Sequence, residues 1–355
     1  MTWADLDWGA LDRLRARFLS GSTNASAEPY WTSAADLASY DFTYGERIGW
    51  KWDQVLRELR LRGWKPASRH VIDWGCGSGV AARRVLDFFG PENFEALTVW
   101  DHSPLAADFA ANQAMQKFPA LRVTQASPSF LEQDGEVGLL IISHVLNELP
   151  ADALARLKQL VMRAEAILWV EPGTHAMGRQ LSALRDEFLS AGFRAIAPCT
   201  QQLACPTLLP GRERDWCHFF APPPSEIFGD SDWVKFGQRA GIDLRSLPYS
   251  FIALDRSAAG ISAEVSAGSI TSELSRVIGR PEHFKPYVRL LNCDATGLAD
   301  LELAKRADPA LYKELDRTKA PLIYRWRREG ERILGGESLS AIRGTVAPEQ
   351  SPLSD

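Results

Sequence analysis

The sequence predicts an α/β protein built around a Rossmann-like parallel sheet. N-terminal helices precede the sheet, a cysteine-bearing insertion interrupts it near its end, and a small C-terminal β unit follows it. Three observations lead there. From about residue 66 to 197, strand-like and helix-like segments alternate, the pattern of a parallel sheet covered on both faces. The first strand runs into a glycine-rich turn and then a helix, VIDWGCGSGVAARRVL over Val71–Leu86. At Pro198 the alternation stops, and a stretch to Pro224 carries three cysteines and the run APPP.

Residues 1–65 read as helical. Leu11, Leu14 and Phe18 recur at helical spacing, as do Ile48, Trp52, Val55 and Leu59, with a Gly/Ser/Asn loop over Gly21–Ala27 between them. The sheet domain is expected over 66–256. Its strands are Arg69–Trp74, Ala96–Trp100, Leu121–Gln125, Val137–Ser143, Ala166–Glu171 and Phe193–Ala197. Its helices are Val80–Phe89, Pro104–Phe118, Ala151–Arg163 and Met177–Ala191. Beyond the 198–224 insertion come a helix, Trp233–Ala240, and a strand, Tyr249–Asp255, that returns to the sheet. Ser257–Ser269 reads as a linker or mobile hairpin. A β-rich unit over 270–334 has strands at Ser275–Ile278, Tyr287–Cys293, Leu298–Ala304 and Leu322–Arg328, and the polar tail 335–355 is expected to be disordered.

The 355 residues suffice for one large domain and a smaller one. No apolar run approaches the ~20 residues that span a bilayer. The acidic, amphipathic start MTWADLDWGALDRLRARF does not resemble a signal peptide. A soluble, cytoplasmic protein with no membrane partner is the expectation, and its cysteines should be free for metal or packing. The net charge of −5 argues against indiscriminate nucleic-acid binding. It is unevenly spread: residues 276–332 hold thirteen Lys/Arg against nine Asp/Glu, a local +4. That allows a basic face near the C-terminus, and a mixed solvated surface fits equally well.

Asp73, Gly75, Gly77 and Gly79 form D-x-G-x-G-x-G at the end of the first strand. Glycines let backbone approach a ligand closely, and the following helix N-terminus offers free amides. Dinucleotides and S-adenosylmethionine (SAM) both use such a turn, and Gly77, Gly79 and Ala82 can be forced onto the dinucleotide pattern. Asp73, placed to accept from the SAM ammonium, and Asp101, placed to take both ribose hydroxyls, together favour SAM, although a ribose acid serves either cofactor and does not decide alone. VIDWGCGSG followed by VWDHS resembles the class I SAM-dependent methyltransferases, which narrows the fold to a class I methyltransferase sheet. Asp73, Gly75, Cys76, Gly77, Gly79, Asp101 and Ser143 are therefore the candidate cofactor residues.

Chemistry in open α/β sheets gathers at the carboxyl ends of the strands. There the sequence places His144, Asn147 and Glu148, in SHVLNEL, and Glu171, in WVEPG. The Asn/Asp-Pro-Pro-aromatic tetrapeptide common in base N-methyltransferases is missing. His144 is a candidate general base or a partner for a neighbouring loop, and Asn147 and Glu148 equally suit caps for the next helix. Cys76 is either a turn residue at the cofactor or simple packing.

Cys199, Cys205, Cys217 and Cys293 contain no C-x-x-C pair, so spacing alone leaves metal binding level with buried free thiols. The run EPGTHAMGRQLSALRDEFLSAGFRAIAPCTQQLACP, then DWCHF, YSFIALDR and SRVIGRPEHFKPYVRLLNCDATGL, together with SHVLNELP, resembles one family. These are the methyltransferase-like assembly proteins of the mitochondrial small ribosomal subunit and their bacterial relatives, and the likeness spans about residues 40–330. The resemblance implies a SAM-type core, a structural [4Fe–4S] cluster on the four cysteines, and small-subunit (16S-type) rRNA as partner. The Cys205–Cys217 spacing is wider than expected for mitochondrial members, which favours a different loop without removing a ligand. In the alternative zinc reading His218 can substitute as a ligand.

Three functions follow: an rRNA methyltransferase, a non-catalytic assembly or translation factor on the same fold, or a small-molecule methyltransferase with structural zinc. For RNA contact the candidates are Arg325, Arg327 and Arg328 in YRWRREGER, with Trp326 as a stacking surface. A charge-blunted edge strand explains the same residues.

Overall fold

In a computed structural model, described over residues 1–20, 31–131, 135, 137–257 and 273–344, five strands pair in parallel. They are β1 (His70–Trp74), β2 (Ala96–Trp100), β3 (Arg122–Gln125), β4 (Val137–Ser143) and β5 (Ala164–Pro172), in the order β3-β2-β1-β4-β5. The apolar run of β4 follows from its place at the centre, buried on both faces. The order reverses between β1 and β4, which opens a crevice at their carboxyl ends. Parallel pairing does not extend across the whole sheet. Strand β8 (Leu247–Asp255) inserts antiparallel between β5 and β6 (Arg194–Ala197), and β7 (Phe219–Ala221) pairs with β8. The chain leaves β6 at the carboxyl end, makes the cysteine insertion there, and re-enters from the same end, so β8 must run backwards.

Helices α1 (Trp8–Ser20), α2 (Ala34–Tyr40) and α3 (Glu46–Leu61) form the N-terminal layer, and a π-helical turn, Asp41–Gly45, joins the last two. Trp52, Val55, Leu56 and Leu59 of α3 are buried in the main core, as the 3–4 spacing requires. Helices α4 (Val80–Phe89), α5 (Pro104–Lys117), α6 (Ala151–Val161), α7 (His175–Ser190) and α8 (Ser231–Ala240) complete the layers.

The C-terminal unit is a closed barrel of β9 (Ser275–His283), β10 (Tyr287–Asp294), β11 (Gly297–Ala304), β12 (Ile323–Glu329) and β13 (Arg332–Ser338). Helix α9 (Pro309–Arg317) lies between β11 and β12, and a short α10 (Leu339–Ile342) follows. The expected tail from residue 335 is thus corrected: its first part completes β13 and α10. Gly335 and Gly336 sit beneath Arg327 and Trp326, where a Cβ would collide. The expected loop at 21–27, the linker beyond Ser257 and the tail from 345 lie outside the described residues. Among the described residues no helix is long and apolar enough to cross a membrane.

Buried charges tie the parts together. Glu58 of α3 bridges Arg62 at 2.8 Å and Arg276 of β9 at 3.0 Å. Arg62 also donates to the carbonyls of Pro198 and Cys199 at 2.7 and 3.0 Å. One triad therefore joins the helical layer, the cysteine insertion and the barrel.

Candidate functional site

The glycine turn sits at the crevice. Gly75 and Gly79 have φ of +69° and +78°. A Cβ at Gly75 would meet Val145 Cγ1 at 2.8 Å, and one at Gly79 would meet Cβ of Ala110, on α5, at 2.9 Å. Gly77, also at positive φ, faces nothing within 4 Å, which leaves room for a ligand. Beneath the turn, Asp73 is fully buried, and neither carboxylate oxygen has a well-formed hydrogen bond; the nearby Ala82 amide offsets the burial only in part. Burial raises its pKa to about 7. An orphaned buried carboxylate is costly, and a ligand's cationic amine would relieve it. Asp101 follows β2 directly. Its two oxygens accept from the amides of Gly77 and Ser103, both at 2.9 Å, and Oδ1 lies 3.2 Å from His102 Nδ1. A carboxylate has about four acceptor positions, so capacity for ribose hydroxyls remains. Cys76 packs into the core, and its amide donates to the carbonyl of Trp100 at 3.0 Å. The residues present thus fit SAM.

The loop after β4 is held from below. Glu171 is fully buried. Its Oε1 accepts from the amides of Val145 and Leu146 at 3.1 and 3.2 Å and from Trp169 Nε1 at 2.7 Å, while Oε2 has no partner. Burial raises its pKa to about 7. His144, at the loop's start, has φ of +58°, an uncommon conformation for a non-glycine residue. Both ring nitrogens are engaged: Nε2 lies 3.0 Å from Lys51 Nζ, and Nδ1 lies 3.2 Å from Ser143 Oγ, which also accepts from Trp52 Nε1 at 3.0 Å. Burial holds His144 neutral and lowers Lys51 to about 7. Asn147 and Glu148 are exposed at the loop's tip, and Pro150 occupies the N-cap position of α6 with no side-chain capping bond, so neither serves as the cap. Lys51 was missed from sequence. The available signal was a lone lysine three residues after Ile48 and four before Val55, on the edge of α3's apolar stripe.

Cys199, Cys217 and Cys293, from distant parts of the chain, have thiols raised by burial, and other cysteines lie close enough to raise them further. Burial raises the Cys217 thiol well above its ordinary range, and Cys199, Cys205 and Cys293 push it further; Cys293 is raised by burial and by Cys199 and Cys205. Arg185 of α7, 1% exposed, pulls Cys199 back down, and its guanidinium donates to the carbonyls of Gln201 and Leu203. Arg276 does the same for Cys217. Among the described residues, no group of three or more His, Cys, Asp or Glu is disposed to hold a single metal ion. His218 stacks on Trp216 at 4.2 Å, and its Nδ1 lies 3.1 Å from the Trp216 carbonyl.

In the barrel, Arg325 pairs with Glu273 at 3.0 Å, Arg328 lies 3.9 Å from Asp294, and Arg327 is exposed. Trp326 is not the free stacking surface expected. It stacks on Tyr324 at 4.4 Å and donates to the buried Asn292 at 2.9 Å, because its strand is part of a closed barrel and not a sheet edge.

No curated protein matches the chain by sequence. Among solved structures, magnesium protoporphyrin IX methyltransferase from Synechocystis PCC 6803 with bound SAH is 14% identical, with 69% of this chain and 97% of that one covered and a TM-score of 0.38. A protein of Thermoplasma acidophilum is 16% identical over 59% and 89%, with a TM-score of 0.36. The 16S rRNA methylase RmtB is 17% identical over 54% and 69%, with a TM-score of 0.32. The profile of the family described as mitochondrial small ribosomal subunit Rsm22 matches residues 53–316, from α3 through the sheet domain and cysteine insertion to the end of α9, and the chain belongs to the Rsm22 family.

Proposed function

We propose that this chain is a SAM-binding, methyltransferase-like protein that acts on or binds small-subunit rRNA during ribosome assembly or translation. The observation that carries the SAM reading is the orphaned Asp73 carboxylate beneath a glycine turn that opens onto free space. The ribosomal reading rests on family membership. When bound, SAM supplies an activated methyl group. The chain's own residues bind and orient: Asp73 takes the ammonium, the Gly75–Gly79 turn passes close along the ligand, and Asp101 takes the ribose hydroxyls. Glu171 fixes the loop that faces the acceptor. Lys51, held near neutrality, is able to receive a proton at Nζ, with His144 and Ser143 holding it in place.

We further propose that Cys199, Cys205, Cys217 and Cys293 hold a structural [4Fe–4S] cluster. Four thiols in one neighbourhood suit such a cluster, and the guanidinium groups of Arg185 and Arg276 offset the negative charge of bound thiolates. Cys293 belongs to the barrel and the other three to the insertion, so the group would clamp one to the other.

Asp101→Ala is expected to abolish SAM binding in calorimetry, and labelled methyl transfer into small-subunit particles should disappear with it. A second reading, a non-catalytic factor on the same fold, is favoured by one observation: both nitrogens of His144 are occupied within the protein. Wild-type protein that binds SAM and small subunits but transfers no label supports that reading. Anaerobically purified protein should carry about four irons and four sulfides per chain with broad absorption near ~400 nm. Zinc alone, or no metal, removes the cluster.

A further inference from the structure

The barrel's connectivity points to a second binding surface. Strands β9, β10 and β11 follow one another antiparallel, α9 comes next, and β12 and β13 close the barrel. Strand β13 runs parallel to β11, and β12 pairs with β9. A five-stranded barrel with this order and a helix between its third and fourth strands is an OB-fold, whose second and third strands and first loop bind oligonucleotides.

The second strand here is β10. Val288, Leu290 and Asn292 point inward and are buried, so Tyr287, Arg289, Leu291 and Cys293 form the outward row. Where that row begins, Phe284 in the β9–β10 loop is 40% exposed. It stacks on Tyr287 with centroids 4.7 Å apart and planes 20° apart. The Arg289 guanidinium lies 5.6 and 5.9 Å from the two ring centroids and is tethered to Glu302 of β11 at 3.2 Å. The loop itself is anchored, because Tyr312 of α9 donates to the Phe284 carbonyl at 2.8 Å. Neither Phe284 nor Tyr287 belongs to the barrel core, so packing does not account for the exposed ring. At its far end the face is closed: Cys293 faces the thiol group, and Arg212 of the insertion donates to the Leu298 carbonyl at 2.9 Å.

We propose that Phe284, Tyr287 and Arg289 form a stacking platform for single-stranded RNA. Bases lie on the rings, and phosphates meet the surrounding cations, among them the exposed Lys285 and Lys305. The pairing of stacked rings with the bordering cations Lys285, Arg289 and Lys305 separates RNA from a neutral ligand. The inference rests on the rRNA reading and adds the surface that would serve it.

The test uses the full chain and a short labelled oligouridine, read by fluorescence anisotropy. Wild-type affinity should fall steeply between about 50 and 200 mM salt. Phe284→Ala and Arg289→Ala should each weaken binding at least about five-fold, with SAM affinity and melting temperature unchanged. Unaltered affinity in both variants, or wild-type binding indifferent to salt, overturns the platform. Sedimentation with purified small subunits is read in parallel. Wild-type association with subunits, alongside oligouridine binding that ignores Phe284→Ala, removes the platform and leaves the ribosomal reading intact. Failure of the wild type in both assays removes both.

Discussion

Two buried side chains, Asp73 and Glu171, and the half-buried Lys51 decide the character of the crevice. Each has a pKa moved to about 7 by burial. For Glu171 the folded value lies above the unfolded one, so the native state binds the extra proton between about pH 4.5 and 7. Stability attributable to this group is therefore full below that window and is lost as pH rises through it. Glu171→Gln keeps the shape and never ionises. Relative to wild type it should gain up to about 3 kcal/mol on going from pH 5 to pH 8, read from urea midpoints at the two values. A constant difference between wild type and variant would mean that Glu171 titrates normally. Asp73, Asp101 and Glu171 were legible because each lies at or next to a strand's carboxyl end. Lys51 was not, because its contact with His144 spans 93 positions and no local pattern records it.

At the scale of elements, periodicity located most strands and helices within a few residues. The strand–glycine–helix unit was legible because its geometry is local. Gly79 carries two demands at once, a left-handed φ and the approach of α5. Gly79→Ala should cost roughly 1–3 kcal/mol by urea denaturation. A neutral result would show that α5 can shift away. The π turn between α2 and α3, the helix α9 and the strand β13 were not legible. Strand β13 lies largely in a stretch read as a polar tail, and its adjacent glycines are explained only by Trp326 and Arg327 across the pair. Trp326 likewise read as an exposed ring because its neighbours are charged, although barrel closure turns it towards Asn292.

At the scale of the whole molecule, the Arg62–Glu58–Arg276 triad connects helical layer, insertion and barrel, and Glu58 is fully buried. Removing the shared carboxylate strands two buried guanidiniums. Glu58→Ala should destabilise the protein by about 3–5 kcal/mol, and if the triad also docks the barrel, protease cleavage should separate it from the sheet domain. An unchanged melting temperature and an intact digest pattern would show that apolar contacts suffice.

The sequence by itself determined what depends on neighbours along the chain: the alternating strands and helices, the glycine turn with its two acids, and a basic excess late in the chain. Tertiary structure alone decided what depends on strand order and through-space pairing. It set β8 antiparallel, placed Lys51 against His144, and closed the C-terminal strands into a barrel with Phe284 and Tyr287 at its rim. It also brought Cys293 to the other three thiols. The physical reason is range. Backbone sterics and side-chain periodicity act over a few residues, whereas burial, ion pairing and barrel closure join residues tens to hundreds of positions apart.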